Sequence, residues 1–315
     1  MLLSALEIDQ LRRHHYNAAV RQVIRLADEL FLLRVAPDAG LPQFLAGQYT
    51  TLGRGAWEPR VDGLPDEILR TGEDSKIIKR AYSVSNPLEC VNGRLLLQPD
   101  YDYLEFYIAL VRPRQAGPPT LTPRLFCLKE GDRLQCGTHF HGHYTIGPVL
   151  PEKNVLFIAT GTGEAPHNAM LAELLARGHR GSIVSTVCVR HRRDLAYLKA
   201  HRRIERAFPG YRYLPITTRE PENLDSAYPG YIGKRYVQDY LESGRLEQDA
   251  GVQFSPDDSH VFLCGNPQMI GVPHHTHDPA TRYPIPRGMV EVLEQRGFTI
   301  DQPHEPGNIH FEKYW

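Results

Sequence analysis

The spacing of hydrophobic positions changes near residue 150. From about residue 17 to 148, short runs rich in β-branched, aliphatic or aromatic residues (Val20–Leu26, Leu30–Val35, Arg94–Gln98, Tyr103–Arg112) are punctuated by Gly, Pro, Asn and Asp. Such runs with little helical periodicity predict an antiparallel barrel or sandwich. Gly53–Lys79 is long, polar and weakly patterned, and is expected to be a surface excursion. Gly147-Pro148-Val149-Leu150-Pro151 reads as a linker, and beyond it the period changes. Val155–Ala159 is an apolar run of the parallel-strand type, followed by a Gly-rich turn and an amphipathic helix carrying Met170, Leu171, Leu174 and Leu175. Strands at Ile183–Val189, Tyr211–Thr217 and His260–Cys264 alternate with helices at Leu195–Phe208 and Tyr236–Leu241, which implies a parallel sheet with helices on its faces. Two domains are therefore expected, over 1–150 and 151–315. The stretch Ile270–Gln302 carries Pro and His, then helix formers, and its pattern places no element.

Composition narrows the function classes. With 36 Lys+Arg against 37 Asp+Glu, no global field draws nucleic acid or anionic lipid. Five cysteines stand far apart, at 90, 127, 136, 188 and 264, which argues against a disulfide scaffold, a zinc ribbon or a fused iron–sulfur domain. The apolar run Val155–Ala159 is too short to cross a bilayer, and the N-terminus meets charge too early for a signal peptide. A soluble, cytoplasmic protein is expected.

The residues that could carry chemistry form an ordered set. In Arg80-Ala81-Tyr82-Ser83 the planar Arg fork suits a diphosphate, and a Tyr two residues on shares its strand face, where its ring can lie against a flat heterocycle. Taken alone, these are equally a surface Arg and a core Tyr. Thr122-Pro123 reads as an N-cap followed by Pro at the first helical position, a start whose free N–H groups suit a phosphate or merely cap a helix. Gly161-Thr162-Gly163-Glu164-Ala165-Pro166 follows the first strand of the second half, with a helix starting near Pro166. Such a turn lets backbone approach a diphosphate, and a carboxylate at Glu164 would repel one, so Glu164 is expected to point away. Cys264-Gly265-Asn266-Pro267-Gln268-Met269 follows the last identified strand, and the chain ends Glu312-Lys313-Tyr314-Trp315.

This ordered set, with Leu104-Glu105-Phe106-Tyr107 and Leu121-Thr122-Pro123-Arg124-Leu125, resembles the bacterial branch of the ferredoxin–NADP(+) reductase family. The resemblance runs from about residue 20 to 270 and resumes at the last residues. It implies an antiparallel β-barrel FAD-binding domain, then an α/β parallel-sheet NADP-binding domain, with the site between them and the aromatic tail returning to the flavin. By the same resemblance FAD is held by Arg80, Ala81, Tyr82, Ser83, Tyr107, Thr120, Leu121, Thr122, Thr162, Tyr314 and Trp315. NADP(H) falls to Gly161, Gly163, Val189, Arg190, Thr218, Arg219, Arg235, Asn266, Pro267 and Gln268, and the catalytic set is Ser83, Cys264, Glu312 and Tyr314. Glu164 and His167-Asn168 depart from the family pattern. No acid follows strand Ile183–Val189 before Asp194, where NAD-selective sites place one, so NADP is expected over NAD.

The implied activity is electron transfer between NADP(H) and ferredoxin or flavodoxin by a monomer that binds neither nucleic acid nor membrane. Two other readings share the residues: an NAD(P)H-dependent flavin reductase component of an oxygenase, and a flavin redox sensor without turnover. The histidines 139, 141 and 143 share one face of an expected strand, and His274, His275, His277 and Asp278 form a second cluster. Neither has a Cys partner at ligand spacing, so no metal site is expected. Arg190–Phe208 carries seven Lys/Arg against two acids, a basic surface suited to steering an acidic electron carrier.

Overall fold

A computed structural model describes residues 3–65, 67, 73–98, 100–110, 119–274 and 282–314. The chain forms two compact units, one of 1–86 and 98–143, the other of 87–97 and 144–315.

The first unit opens with helix α1 (Ala5–His15), capped by a reciprocal Ser4–Glu7 box. Strands β1 (Ala18–Ala27), β2 (Leu30–Pro37), β3 (Tyr49–Gly55) and β4 (Ile77–Ser83) follow. A short hairpin, β5 (Cys90–Val91) and β6 (Arg94–Leu95), belongs to the second unit. The chain returns to the first unit with β7 (Leu104–Ala109), the one-turn helix α2 (Thr122–Leu125) and β8 (Arg133–Cys136). The six long strands make one antiparallel sheet in the order β4-β3-β8-β1-β2-β7. An isolated bridge, Ser85↔Glu105, links the chain just past β4 to β7, so the sheet curls toward a barrel. Val20, Phe31, Leu33, Leu52, Leu104 and Phe106 fill its interior, and Leu121 and Leu125 of the α2 turn join them.

The second unit alternates strand and helix. Strand β9 (Asn154–Thr160) leads into a 3-10 turn at Gly161–Gly163 and helix α3 (Glu164–Ala176). Then come β10 (Ile183–Val189), α4 (Leu198–Ala207), β11 (Tyr211–Tyr213), β12 (Ile216–Thr217), α5 (Pro221–Leu224), α6 (Val237–Glu242) and α7 (Arg245–Ala250). Finally β13 (Ser259–Gly265), α8 (Pro267–Ile270), α9 (Met289–Gln295) and β14 (Ile309–Lys313) complete it. Parallel strands run β11-β10-β9-β13-β14, with β12 also on β10. Numbered within the unit this is 3-2-1-4-5, the doubly wound order whose switch point lies between β9 and β13. The central strands are buried on both faces, hence their unbroken apolar runs. One face packs Leu156, Ile158, Val261 and Leu263 against α6, α7 and α9; the other meets α3, where Phe157 lies 4.9 Å from His167.

Several local expectations are corrected. Gly53–Gly55 completes β3, where buried Arg54 pairs with buried Glu58, and Ile77–Lys79 opens β4, so the ends of the stretch expected to be an excursion belong to the sheet. The N-cap before α2 is Leu121, so Thr122 is the first helical residue and Pro123 stands one position deeper. Helix α3 starts at Glu164, two residues before Pro166, which the first turn tolerates. The 139–143 segment is not a strand; only His141 bridges to Tyr49. His275, His277 and Asp278 lie outside the described residues.

Candidate active site

In the first unit the candidate flavin-side residues gather where β4, the turn before α2 and β7 approach. Antiparallel pairing sets Arg80 opposite Leu52 and Tyr82 opposite Thr50, so Arg80 and Tyr82 share a face of β4. The Arg80 side chain is exposed, donating to the Lys79 carbonyl at 2.8 Å and reaching Thr120 Oγ1 at 3.4 Å. Ala81 is exposed and Tyr82 half-buried, while Ser83, Tyr107, Leu121 and Thr122 are buried. Two guanidinium Nε–H groups beside the turn, of Arg60 and Arg124, are buried without a hydrogen-bond acceptor among the described residues, although Arg60 Nε lies 3.8 Å from Glu67 Oε2.

In the second unit the ends of β9, β13 and β14 converge. The Thr160 hydroxyl accepts from the Asn266 backbone N–H at 2.7 Å, and Tyr314 N donates to the Gly265 carbonyl at 3.0 Å. A Cβ at Gly163 would sit 2.3 Å from the Cys264 carbonyl oxygen, which is why this turn needs Gly. Gly161 adopts φ +52° with no atom within 4 Å of where its Cβ would lie, so its backbone faces open space. Asn266 Oδ1 caps α8 by accepting from Gln268 N at 2.9 Å. Thr162 is buried in the same turn.

Cys264 pairs in register with Glu312 across β13 and β14 and is hydrogen-bonded to Tyr314. Burial, and then the Glu312 charge, pushes the Cys264 thiol well up. It is therefore a neutral, polarizable thiol at neutral pH and not a thiolate nucleophile. Tyr144 joins this group although nothing near it in sequence marks it. Burial first, then Cys264, Glu312 and Tyr314, raise its phenol above the usual range, and its hydroxyl lies 2.7 Å from His167 Nε2. Burial holds His167 down to about 3, so the ring is neutral.

Glu164 is buried within the second unit. Tyr213 donates to its Oε1 at 2.7 Å and His201 Nε2 lies 3.1 Å from the same oxygen, while Tyr211 meets His201 Nδ1 at 2.8 Å. The partners come from α4 and β11, 37 to 49 residues away, so no local pattern announces them.

Of the NADP-side arginines that the resemblance implies, two come together. Arg219 N donates to the Arg190 carbonyl at 2.9 Å, which sets the ends of β10 and β12 side by side, and Thr218 bonds to Val189. The loop bearing Arg235 is tied to α5, with Ile232 N donating to Glu222 O at 2.8 Å. All three side chains are exposed, and none pairs with a carboxylate among the described residues. Trp315 lies outside the described residues.

The family described as oxidoreductase NAD-binding domain matches residues 157–274. Over 252 residues the chain is 30% identical to the flavodoxin/ferredoxin–NADP reductase of Escherichia coli strain K12, covering 80% of this chain and 85% of that protein. The chain belongs to the flavodoxin/ferredoxin–NADP reductase family. Another relative in this family, the ferredoxin–NADP reductase of Pseudomonas aeruginosa, is 28% identical over 268 residues, 81% of this chain and 86% of that one. The reductase fold is likewise seen in a ferredoxin NADP+ reductase from Neisseria gonorrhoeae solved with bound FAD and NADP, at a TM-score of 0.67 and 20% identity over 95% of this chain and 98% of that one. A cytochrome P450 reductase from Amycolatopsis superposes with a TM-score of 0.59 at 25% identity, covering 95% of this chain but 69% of that longer one. No helix among the described residues is long and apolar enough to cross a membrane.

Proposed function

We propose that the protein is an FAD-dependent oxidoreductase that passes electrons between NADP(H) and a one-electron carrier, ferredoxin or flavodoxin. One observation carries this reading. At the switch point of the parallel sheet an open glycine turn stands beside Cys264, Glu312 and Tyr314. Such a crevice is where open α/β sheets take nucleotides.

The residues fit both groups. Arg80 offers an exposed fork beside Thr120, of the kind that suits a diphosphate. Tyr82, Ser83 and Tyr107 would hold the isoalloxazine side. Gly161 presents bare backbone to the coenzyme diphosphate, and Arg190, Arg219 and Arg235, with no ion pair among the described residues, would take a 2′-phosphate. FAD, when bound, supplies the conversion between two-electron hydride chemistry and one-electron transfer. The chain's own part is placement. Cys264 presents a neutral sulfur wall, Asn266 and the α8 turn line the nicotinamide half, and Glu312 sets a carboxylate next to Cys264. Tyr314 is the side chain that yields to an incoming nicotinamide, which makes coenzyme entry a gated step.

The test is a visible spectrum of the purified protein, followed anaerobically on adding NADPH and, separately, NADH. A flavin band bleached fast by NADPH and slowly by NADH is expected; a colourless protein that takes up no FAD overturns the reading. A reductase serving an oxygenase is the second reading, favoured by the likeness to the Amycolatopsis P450 reductase. Comparing turnover with ferredoxin, flavodoxin and an oxygenase component separates the two.

A further inference from the structure

In the excursion between β3 and β4, the bonds of the described residues converge on one place. That place is the turn 119–124, which carries Thr120, Leu121 and Thr122. Arg60 Nη2 donates to the Pro119 carbonyl at 3.1 Å and to the Pro65 carbonyl at 3.1 Å. Val61 N donates to the Pro123 carbonyl at 3.2 Å. Arg124, itself in the turn, sends Nη1 to Thr120 O at 2.6 Å and Nη2 to Ala56 O at 2.7 Å. The same two nitrogens form a fork-to-fork pair with Glu67, at 2.8 Å each. Both side chains of that pair are almost wholly buried, 2% and 5% exposed.

A buried ion pair is a poor device for stability, because desolvating two charges cancels much of their attraction and an apolar pair often does as well. What an apolar pair lacks is direction. The planar guanidinium holds four oxygens at fixed angles, and so fixes Ala56, Thr120 and Glu67 relative to one another. Arg80 meets the same turn from β4 through Thr120 Oγ1.

We propose that the excursion is a strap, with Glu67 and Arg124 as its clasp and Arg60 as a second tie, and that it preorganises the 119–124 turn for FAD. These are positioning residues that act through the turn. The inference rests on the FAD reading above. Ordering a loop when a ligand arrives costs affinity, so a turn already fixed releases its ligand more slowly. Glu67 could not be found from sequence, since it stands 57 residues from Arg124 in a stretch without pattern.

The experiment measures FAD release from the flavin-loaded protein after dilution, by the recovery of flavin fluorescence. Glu67→Gln keeps the shape and removes the charge and the two-toothed pairing; release about tenfold faster than wild type is expected, the effect of losing one charge-assisted pair. Glu73→Ala, in the same excursion where Glu73 pairs with Lys76, leaves release unchanged. The double variant Glu67→Met with Arg124→Leu separates positioning from mere stability. It is expected to regain the wild-type urea midpoint in saturating FAD while still releasing FAD fast. Wild-type release from that double variant, or from Glu67→Gln, overturns the strap. Should Glu67→Gln fail to fold, Arg60→Lys, which loses the guanidinium nitrogen that bonds both Pro119 and Pro65, is expected to release FAD about threefold faster; unchanged release there overturns the strap as well. Wild-type protein that binds no FAD overturns the earlier reading instead, so the two failures are distinct.

Discussion

Gly163 has no room for a side chain, since a Cβ there would lie 2.3 Å from the Cys264 carbonyl oxygen and 2.9 Å from Gly265 N, both backbone. Gly163→Ala should therefore force β9 and β13 apart at their ends, costing about 1–3 kcal/mol as an overpacked site does. It should also weaken NADP+ binding; urea unfolding and calorimetric titration check the two effects. His167 makes a different prediction. Its folded value of about 3 lies below the ordinary histidine value near 6.5, so the unfolded chain binds the extra proton. Its contribution is thus complete above about pH 6.5 and is lost as pH falls toward the folded value. Between pH 8 and pH 5 this group alone removes about 2 kcal/mol. The double variant Tyr144→Phe with His167→Phe leaves no orphaned hydroxyl and should flatten that slope in urea titrations at the two pH values; an unchanged slope refutes it. His260, held down to about 4, titrates in both proteins and cancels. At this scale the sequence exposes what sits in a motif. Cys264, Glu312 and Tyr314 stand in recognisable strings, and the structure gathers them. Tyr144 and His201 do not, because Tyr144 acquires meaning from His167, 23 residues on, and His201 from Glu164, 37 residues back.

Helix α1 shows how one buried carboxylate can anchor an element. Glu58 takes bonds from Arg12 at 2.9 and 2.7 Å, from Arg54 at 2.9 Å and from Tyr16 at 2.8 Å. Burial pushes its carboxyl up, but those donors outweigh it and hold the group below its usual value. Arg12 is 46% exposed and Arg54 only 5%. Glu58→Gln leaves Arg54 buried without its charge partner and should cost about 3–5 kcal/mol, whereas Arg12→Ala should cost about 1 kcal/mol or less. Equal losses in urea unfolding would mean that Arg12, not Arg54, decides the pairing. The same chemistry explains why elements were unevenly legible. Strand β10 coincides with the expected Ile183–Val189, because a strand covered on both faces must be apolar throughout. Strand β3 hides in a polar stretch because Arg54 is buried by pairing and not by being apolar. Strand β14 was missed since its five residues, Ile-His-Phe-Glu-Lys, include His310, buried against Phe262 at 4.5 Å as an aromatic would be.

For the molecule as a whole, the formal charge is only -1, so any electrostatic preference must be local. The three arginines on the edge of the parallel sheet are the place to look for it. Arg190 and Arg219 stand side by side through a backbone bond, and Arg235 hangs on the loop tied to α5. None forms an ion pair with a carboxylate among the described residues, whereas nearby Arg192 pairs with Glu222 at 3.4 Å. A free guanidinium gains a charge-assisted bond to a 2′-phosphate, and NAD(H) has no such group to offer. Arg219→Ala should therefore raise the NADP+ dissociation constant about tenfold, the worth of one hydrogen bond to a charged group, and leave NAD+ binding as it was. Arg192→Ala, which removes a charge that is already paired, should change neither. Because the effect is one of exposed charges, it should shrink as ionic strength rises and the screening length falls below about 10 Å. Equal weakening of NADP+ and NAD+ in Arg219→Ala would show that the residue supports the fold of the β12 end, and the selectivity would then have to come from elsewhere.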